Sequence, residues 1–178
     1  MSRRDTIYGI IAPLVAPEPV IWADQNAPRP SGAYWTLRLN ARRSLGTDEY
    51  SQGVNDDGEL TINGVREETL TVQRIGPSAQ DYVCDFRDDM SRVTVLDQWR
   101  AADMVVYDLG AVGFIPFRMD NDHIEPRAAV DLFIRYGVRT LDEVGTIQGV
   151  QIGTELATDS TLPNYDPDLA GTIDVDLS

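Results

Sequence analysis

The chain predicts an α+β domain: a mostly antiparallel sheet with one long hairpin and two or three helices packed on one face. Three observations carry that expectation. Alternating apolar and polar residues mark strands both before and after a central pair of helical segments. Two of the early strands, from about Tyr34 and from Glu59, are joined by a polar, glycine-containing connection that suits a hairpin. The clearest alternation of all, Ala128, Val130, Leu132, Ile134, Tyr136 and Val138, comes late in the chain.

In order, Asp5–Ala12 predicts a short helix that Pro13 ends, with Gly9 weakening it. The apolar run Val20, Ile21, Trp22 then breaks into ADQNAPRPSG, a connector stiffened by Pro28 and Pro30 and turned by Gly32. The strand from Tyr34 to about Arg43 places Trp35, Leu37, Leu39 and Ala41 on one face, and Thr36, Arg38, Asn40 and Arg42 on the other. SLGTDEYSQGVNDDGE reads as a loop closed by the turn pair Asp57-Gly58. In the next strand, Glu59–Ile75, the apolar even positions are interrupted by Arg66 and Glu68, and Asn63-Gly64 suggests a bulge or bend. The hairpin tip is expected to project from the body.

Gly76-Pro77 stops the strand, and Ser78 with Asp81 has the spacing of a capping box. Tyr82, Val83, Phe86 and Met90 follow at helical spacing, and Asp81, Asp85, Arg87, Asp88 and Asp89 fall on the other side. Thr94 with Asp97 opens a second helix through Leu96, Trp99 and Ala102. Residues 104–110 read as a strand, 113–117 as a connection or edge element because of Pro116, and Thr146–Ile152 as a last strand. Trp22, Trp35 and Trp99 sit in apolar patterns and are expected to pack in the core. Residues 1–154 read as one domain. Residues 155–178, with six acids, no base and two prolines, read as an extended acidic arm. Its end alternates Ile173, Val175 and Leu177 with polar residues, a pattern that suits addition to a neighbour's sheet edge.

Charge narrows function. Twenty-nine acids against fifteen bases leave a net charge of −14, and every base is arginine. Gripping nucleic acid depends on neutralising phosphates, so this balance opposes a DNA-binding module. No apolar run reaches membrane-spanning length, and the N-terminal apolar stretch is too interrupted by Gly9, Pro13, Pro17 and Pro19 for a signal peptide. The single cysteine, Cys84, needs no oxidising compartment, so a cytoplasmic origin is expected. Cys84 falls among apolar helical neighbours and reads as a small buried hydrophobe.

Chemistry is hard to find. Asp120, Asp122, His123 and Glu125 crowd MDNDHIEP, but their spacing matches neither a zinc motif nor an EF-hand loop, so the segment reads as a structural loop. There is no G-x-S-x-G, no G-x-G-x-x-G, and no phosphate loop in a chain without lysine. No catalytic residue, cofactor or metal is expected. The arginine doublet Arg42-Arg43 reads as an ion-pairing element of a protein interface.

The segments PVIWADQNAPRP, GVREETLTVQ, VTVLDQWRAADMVVYDLG, EPRAAVDLFIRYGV and VGTIQGVQI, in that order over roughly residues 3–152, resemble the neck or tail terminator proteins of tailed bacteriophages. The resemblance implies a terminator-like α+β fold and a structural, non-enzymatic virion protein, assembled in the host cytoplasm. It implies a homo-oligomeric ring of six copies at the head–tail junction that ends the tail tube and joins it to the neck connector. Tube, sheath and connector proteins would be its partners, and DNA would pass through without specific binding. A ring closes when different faces of successive copies meet. The expected interface residues are Arg42, Arg43, Asp48, Glu49, Tyr50, Asp56 and Asp57 around the hairpin, and Ile173, Val175 and Leu177 in the arm. The alternatives are a head-closure adaptor in an adjacent layer and a small metal-dependent enzyme.

Overall fold

The structure, a computed structural model, describes residues 2–26, 28–120 and 123–145. It opens with helix α1 (Arg3–Ile11), started by a capping box in which Ser2 and Asp5 satisfy each other's backbone N–H. Pro13 does not end the helical path. It sits at the start of a 3-10 turn, Ala12–Val15, where its missing N–H is not needed. Strand β1 (Val20–Trp22) runs parallel to β2 (Tyr34–Val54), with Val20 beside Trp35. Strand β3 (Glu59–Ile75) returns antiparallel to β2. Helices α2 (Ala79–Asp89) and α3 (Val93–Ala101) follow, then β4 (Met104–Leu109), β5 (Gly113–Phe114), the small hairpin of β6 (Phe117–Asp120) and β7 (His123–Glu125), and β8 (Arg127–Glu143). The main sheet runs β1-β2-β3-β8-β4, with β5 added to β8. Among the described residues of this sheet, only the β1–β2 pair is parallel.

One face of this sheet makes the core. Trp35 and Leu37 of β2, Leu70 and Val72 of β3, and Val130, Leu132 and Ile134 of β8 point to it. The three helices cover them with Ile7 and Ile11, Val83, Phe86 and Met90, and Val95 and Trp99. Trp35 and Phe86 meet with ring centroids 5.5 Å apart in a tilted pair. Burying each such side chain contributes about 1.5–3 kcal/mol, so these residues hold the helices on this face alone. Of the three tryptophans, Trp35 and Trp99 are buried. Trp22 is half-buried under the Arg4 guanidinium.

The helices cover only part of the strands. Beyond Tyr136, strands β2, β3 and β8 continue as a three-stranded arm. Glu59 still pairs with Glu143 at its far end. The arm carries exposed Leu45, Tyr50, Val54, Val65 and Leu141. The long projecting hairpin of the sequence is there, yet the loop expected from Ser44 is mostly strand. Strand β2 runs to Val54 and the turn shrinks to Asn55–Gly58. Polar, glycine-containing sequence stays extended because β3, paired on both sides, supplies it with a ladder.

Several further expectations are corrected. A register shift between Leu39 and Ala41 bulges Asn40 out of the β2–β3 ladder. The alternation therefore flips: Arg42 joins Leu37 and Leu39 on the helix side, opposite Glu68, while Ala41 and Arg43 turn to the other face. The irregularity expected at Asn63-Gly64 puts its extra residues on β2, which spans Leu45 to Glu49 against Val65 to Asn63. Ser78 precedes α2 in a left-handed conformation, φ 53°, and its side chain caps nothing. Helix α3 starts at Val93 after Arg92, not at a Thr94 cap, and Asp97 instead pairs with Arg100. Tyr82 is exposed from α2 and lies against the Arg74 guanidinium, 3.9 Å from ring centroid to carbon. Cys84 is half-buried. The segment expected as a structural loop, MDNDHIEP, contributes to the β6–β7 hairpin. The expected strand Thr146–Ile152 and the arm 155–178 lie outside the described residues.

Candidate assembly interface

Where the helices stop and the arm begins, charged residues occupy both faces of the sheet. This waist follows from the interruptions in β3, where Glu67 and Glu68 point to opposite faces and are both buried.

On the helix side, Glu68 sits among Arg3, Arg42 and Tyr136. The Arg3 Nε lies 2.9 Å from Glu68 Oε2 as an ion pair, and its Nη2 donates to Oε1 at 3.3 Å. The Tyr136 hydroxyl donates to Oε2 at 3.2 Å. Burial, then the nearby Glu68 charge, pushes the Tyr136 phenol above its ordinary value, which keeps the proton available for that bond. The guanidiniums of Arg3 and Arg42 lie 4.6 and 5.8 Å from the Tyr136 ring centre. The first residue of α1 is thereby tied to the sheet at the root of the arm.

On the opposite face, which none of the helices among the described residues covers, Glu67 accepts from two arginines. Arg43 Nε donates at 2.6 Å and Arg135 Nε at 2.7 Å, one to each carboxylate oxygen. Arg135 first, then Arg43, holds the Glu67 carboxyl below its ordinary range. The Arg135 guanidinium stacks on Tyr107 at 4.0 Å, and Tyr107 tilts against Phe133 at 6.1 Å. A groove of about 300 Å³ opens here, lined by Ala41, Arg43, Glu67, Thr69, Tyr107 and Phe133. Arginine and aromatic side chains of this kind are enriched at protein interfaces.

The arm itself is braced and acid-tipped. Asp48 folds over Gly64 to meet Arg66 in a two-pronged ion pair, Oδ1 to Nη1 at 2.6 Å and Oδ2 to Nη2 at 2.7 Å. A Cβ on Gly64 would lie 2.3 Å from both the Arg66 Nη1 and the Asp48 Oδ1, so only glycine leaves room for the pair. At the tip, the Asn55 Oδ1 accepts the N–H groups of Asp57 and Glu59, at 3.1 and 2.8 Å. Gly58 has φ +81°, and a Cβ there would meet the Gly145 Cα at 3.3 Å. From Ser44 to Val65 the chain carries five acids and no base.

The residues expected at the interface are therefore distributed along one structure. Arg42 and Arg43 straddle the waist, Asp48 braces the arm, and Glu49 faces the helix-free side opposite Asn63. Tyr50 lies on the other face opposite Ile62 and is 58% exposed, while Asp56 and Asp57 form the tip turn. Ile173, Val175 and Leu177 lie outside the described residues. Sequence reasoning missed Glu67, Arg135, Tyr107, Phe133, Arg3 and Glu68 as partners of the doublet. The signal was the charge breaking the β3 alternation.

Asp122 lies outside the described residues, as do the side chains of Asp120 and His123. Glu125, buried, pairs with Arg29 and Arg127. Among the described residues no three His, Cys, Asp or Glu side chains gather as a metal set, and no helix is long and apolar enough to cross a membrane.

A family model described as phage neck terminator protein matches residues 4–158. No curated protein matches the chain. Members of this family are structural parts of the virion neck, associated with tail and neck components, and perform no catalysis. The match covers the sheet, the helices and the arm alike, and on that extent the chain belongs to the phage neck terminator protein family.

Proposed function

We propose that six copies of this chain form a ring at the head–tail junction, end the growing tail tube and join it to the neck connector around an open channel. The observation that carries the reading is the arm. A three-stranded ribbon with exposed Leu45, Tyr50, Val54, Val65 and Leu141 buries little within its own protomer. Such a surface is stabilised by a neighbour, and a head-to-tail contact between unlike surfaces closes a ring. The copy number rests on the resemblance to terminator rings. Residues 1–154 act as one unit in this reading, and the acidic segment 155–178, with Ile173, Val175 and Leu177, extends a neighbour's sheet edge.

The partners are the tail tube, the sheath where the tail has one, and the connector. DNA passes without specific contacts. A six-membered ring carries a formal charge of 6 × −14 = −84 from the full chain, and acidic surface facing the channel repels phosphate instead of releasing counterions to bind it. A channel lined by arginine would contradict that part.

The test is the tail morphology of particles made without this protein, seen by negative-stain microscopy. Overlong or unjoined tails support a terminator. Tails of normal length attached to leaking heads favour a head-closure adaptor in the next layer.

A further inference from the structure

We infer that the acidic tip of each hairpin docks on the helix-free waist of the next copy, against Arg43 and Arg135. The inference rests on the ring reading and assigns the two surfaces that meet.

Charge within the chain is segregated. Asp56, Asp57, Glu59, Asp142 and Glu143 cluster at the tip, where Glu59 and Glu143 are direct neighbours across β3 and β8. The waist is the opposite. On its helix-free face Arg43 and Arg135 flank the single buried carboxylate of Glu67, a local net of 2 − 1 = +1, with Asp108 at the β4 edge, while Arg139 lies four residues up the arm and donates to Thr61. Glu67 takes the Nε and one Nη of each of Arg43 and Arg135, and the Arg43 side chain remains 74% exposed. The remaining guanidinium N–H donors are held in fixed positions for further carboxylates. Tyr107 and Phe133 give the groove an apolar floor beside them.

A protomer cannot make this contact with itself. Along β8 the tip lies eight residues past Arg135, from 135 to 143, or about 27 Å at strand rise. Strand β3 is paired residue for residue with β8 over that whole length, so the ribbon does not fold back. In the ring the tip acids reach Arg43 and Arg135 of another copy, and the two surfaces differ, as a closed ring requires. A DNA duplex is a weaker occupant of the waist, since the net charge of −14 on the whole chain repels phosphate.

The test uses particles assembled in cells infected with phage lacking this gene and supplied with variant chains. The triple variant Ala41→Cys, Asp57→Cys, Cys84→Ser places one thiol in the groove and one on the tip. After mild oxidation of purified particles, denaturing gels are expected to show a ladder of linked copies. Particles that contain the chain but yield only monomer overturn the contact and leave the ring reading standing. Absence of the wild-type chain from particles overturns the reading, and the contact with it. A second variant guards against a cysteine chain that fails to assemble. Asp56→Arg with Asp57→Arg changes only an exposed turn, and is expected to keep the thermal midpoint of the isolated protein while lowering infective particle yield about a hundredfold. Full yield from that variant also overturns the contact.

Discussion

Arg74 offers the sharpest test of how the body holds together. It stands on β3 on the helix side of the sheet, 3% exposed, and is met by Glu18 in two hydrogen bonds of 2.8 and 2.6 Å. It also donates to the Pro77 carbonyl at 2.5 Å and lies over Tyr82. Glu18 accepts the Trp35 indole N–H at 2.8 Å through the same oxygen that Arg74 Nε reaches. The segment before β1, the start of β2 and the end of β3 therefore share one charge pair. Arg74→Met keeps most of the stem that packs on Tyr82 but strands the Glu18 carboxylate and the Pro77 carbonyl. Breaking a buried pair by removing one partner costs about 3–5 kcal/mol. The Glu18 side chain is 21% exposed, so water recovers part of its solvation and the lower end applies, about 3 kcal/mol. For a chain of this size that lowers the thermal midpoint by roughly 6–12 °C. Urea unfolding followed by tryptophan fluorescence reads it directly, because Trp35 is part of the network. The cycle completes the reasoning: Glu18→Gln alone strands a buried guanidinium, whereas Glu18→Gln with Arg74→Met removes both charges. The double variant is expected to lose about 2 kcal/mol less than the sum of the singles. A cost under about 0.5 kcal/mol for Arg74→Met, or strict additivity in the cycle, would falsify the reasoning.

Three other expectations follow from the same geometry. Glu18, with an ordinary value of 4.5, is held lower in the fold by Arg74, so its contribution to stability is complete above 4.5 and is lost as pH falls through the lower folded value. Glu67 has the same sign through Arg135 and Arg43, and an acid titration of unfolding free energy should stay flat above about pH 5 and fall below it; a fall beginning near neutrality contradicts both. Gly64→Ala pushes the Arg66–Asp48 pair apart, so the Asp48 carboxyl, held low by Arg66 in the native arm, is expected to return toward its ordinary 3.8 in a carbon-detected NMR titration. Leu132→Ala, at a position with no exposed surface, should cost about 2–5 kcal/mol in urea unfolding, far more than any single substitution at the exposed tip.

Periodicity made the sheet and helices legible where one face is buried. The even positions of β8 from Ala128 to Tyr136 point into the core, as their alternation predicts. It failed where local geometry changes the period. One bulged residue, Asn40, reverses the faces of everything after it, and nothing in N-A-R-R announces the bulge. Ser44–Val54 failed for another reason. Its polar, glycine-containing composition suits a loop, but pairing with an already paired strand decides its conformation, and that is a tertiary effect. The capping signals at Ser78 and Thr94 were misleading because a cap requires extended backbone at the right residue as well as the right side chain. Of the candidate site, the hairpin residues and the arginine doublet were visible as charges. Their partners were not, since Glu67 and Arg135 stand sixty-eight residues apart and only the β3–β8 register brings them together.

A reconstruction of the neck in intact particles tests the central claim most directly, namely that this chain acts through the surfaces it offers to its neighbours. The expected density is a closed ring between connector and tube in which each hairpin leaves its own protomer and ends on the waist of the next. A neck in which this chain is missing, or in which every hairpin points into solvent and touches no neighbour, would contradict the account.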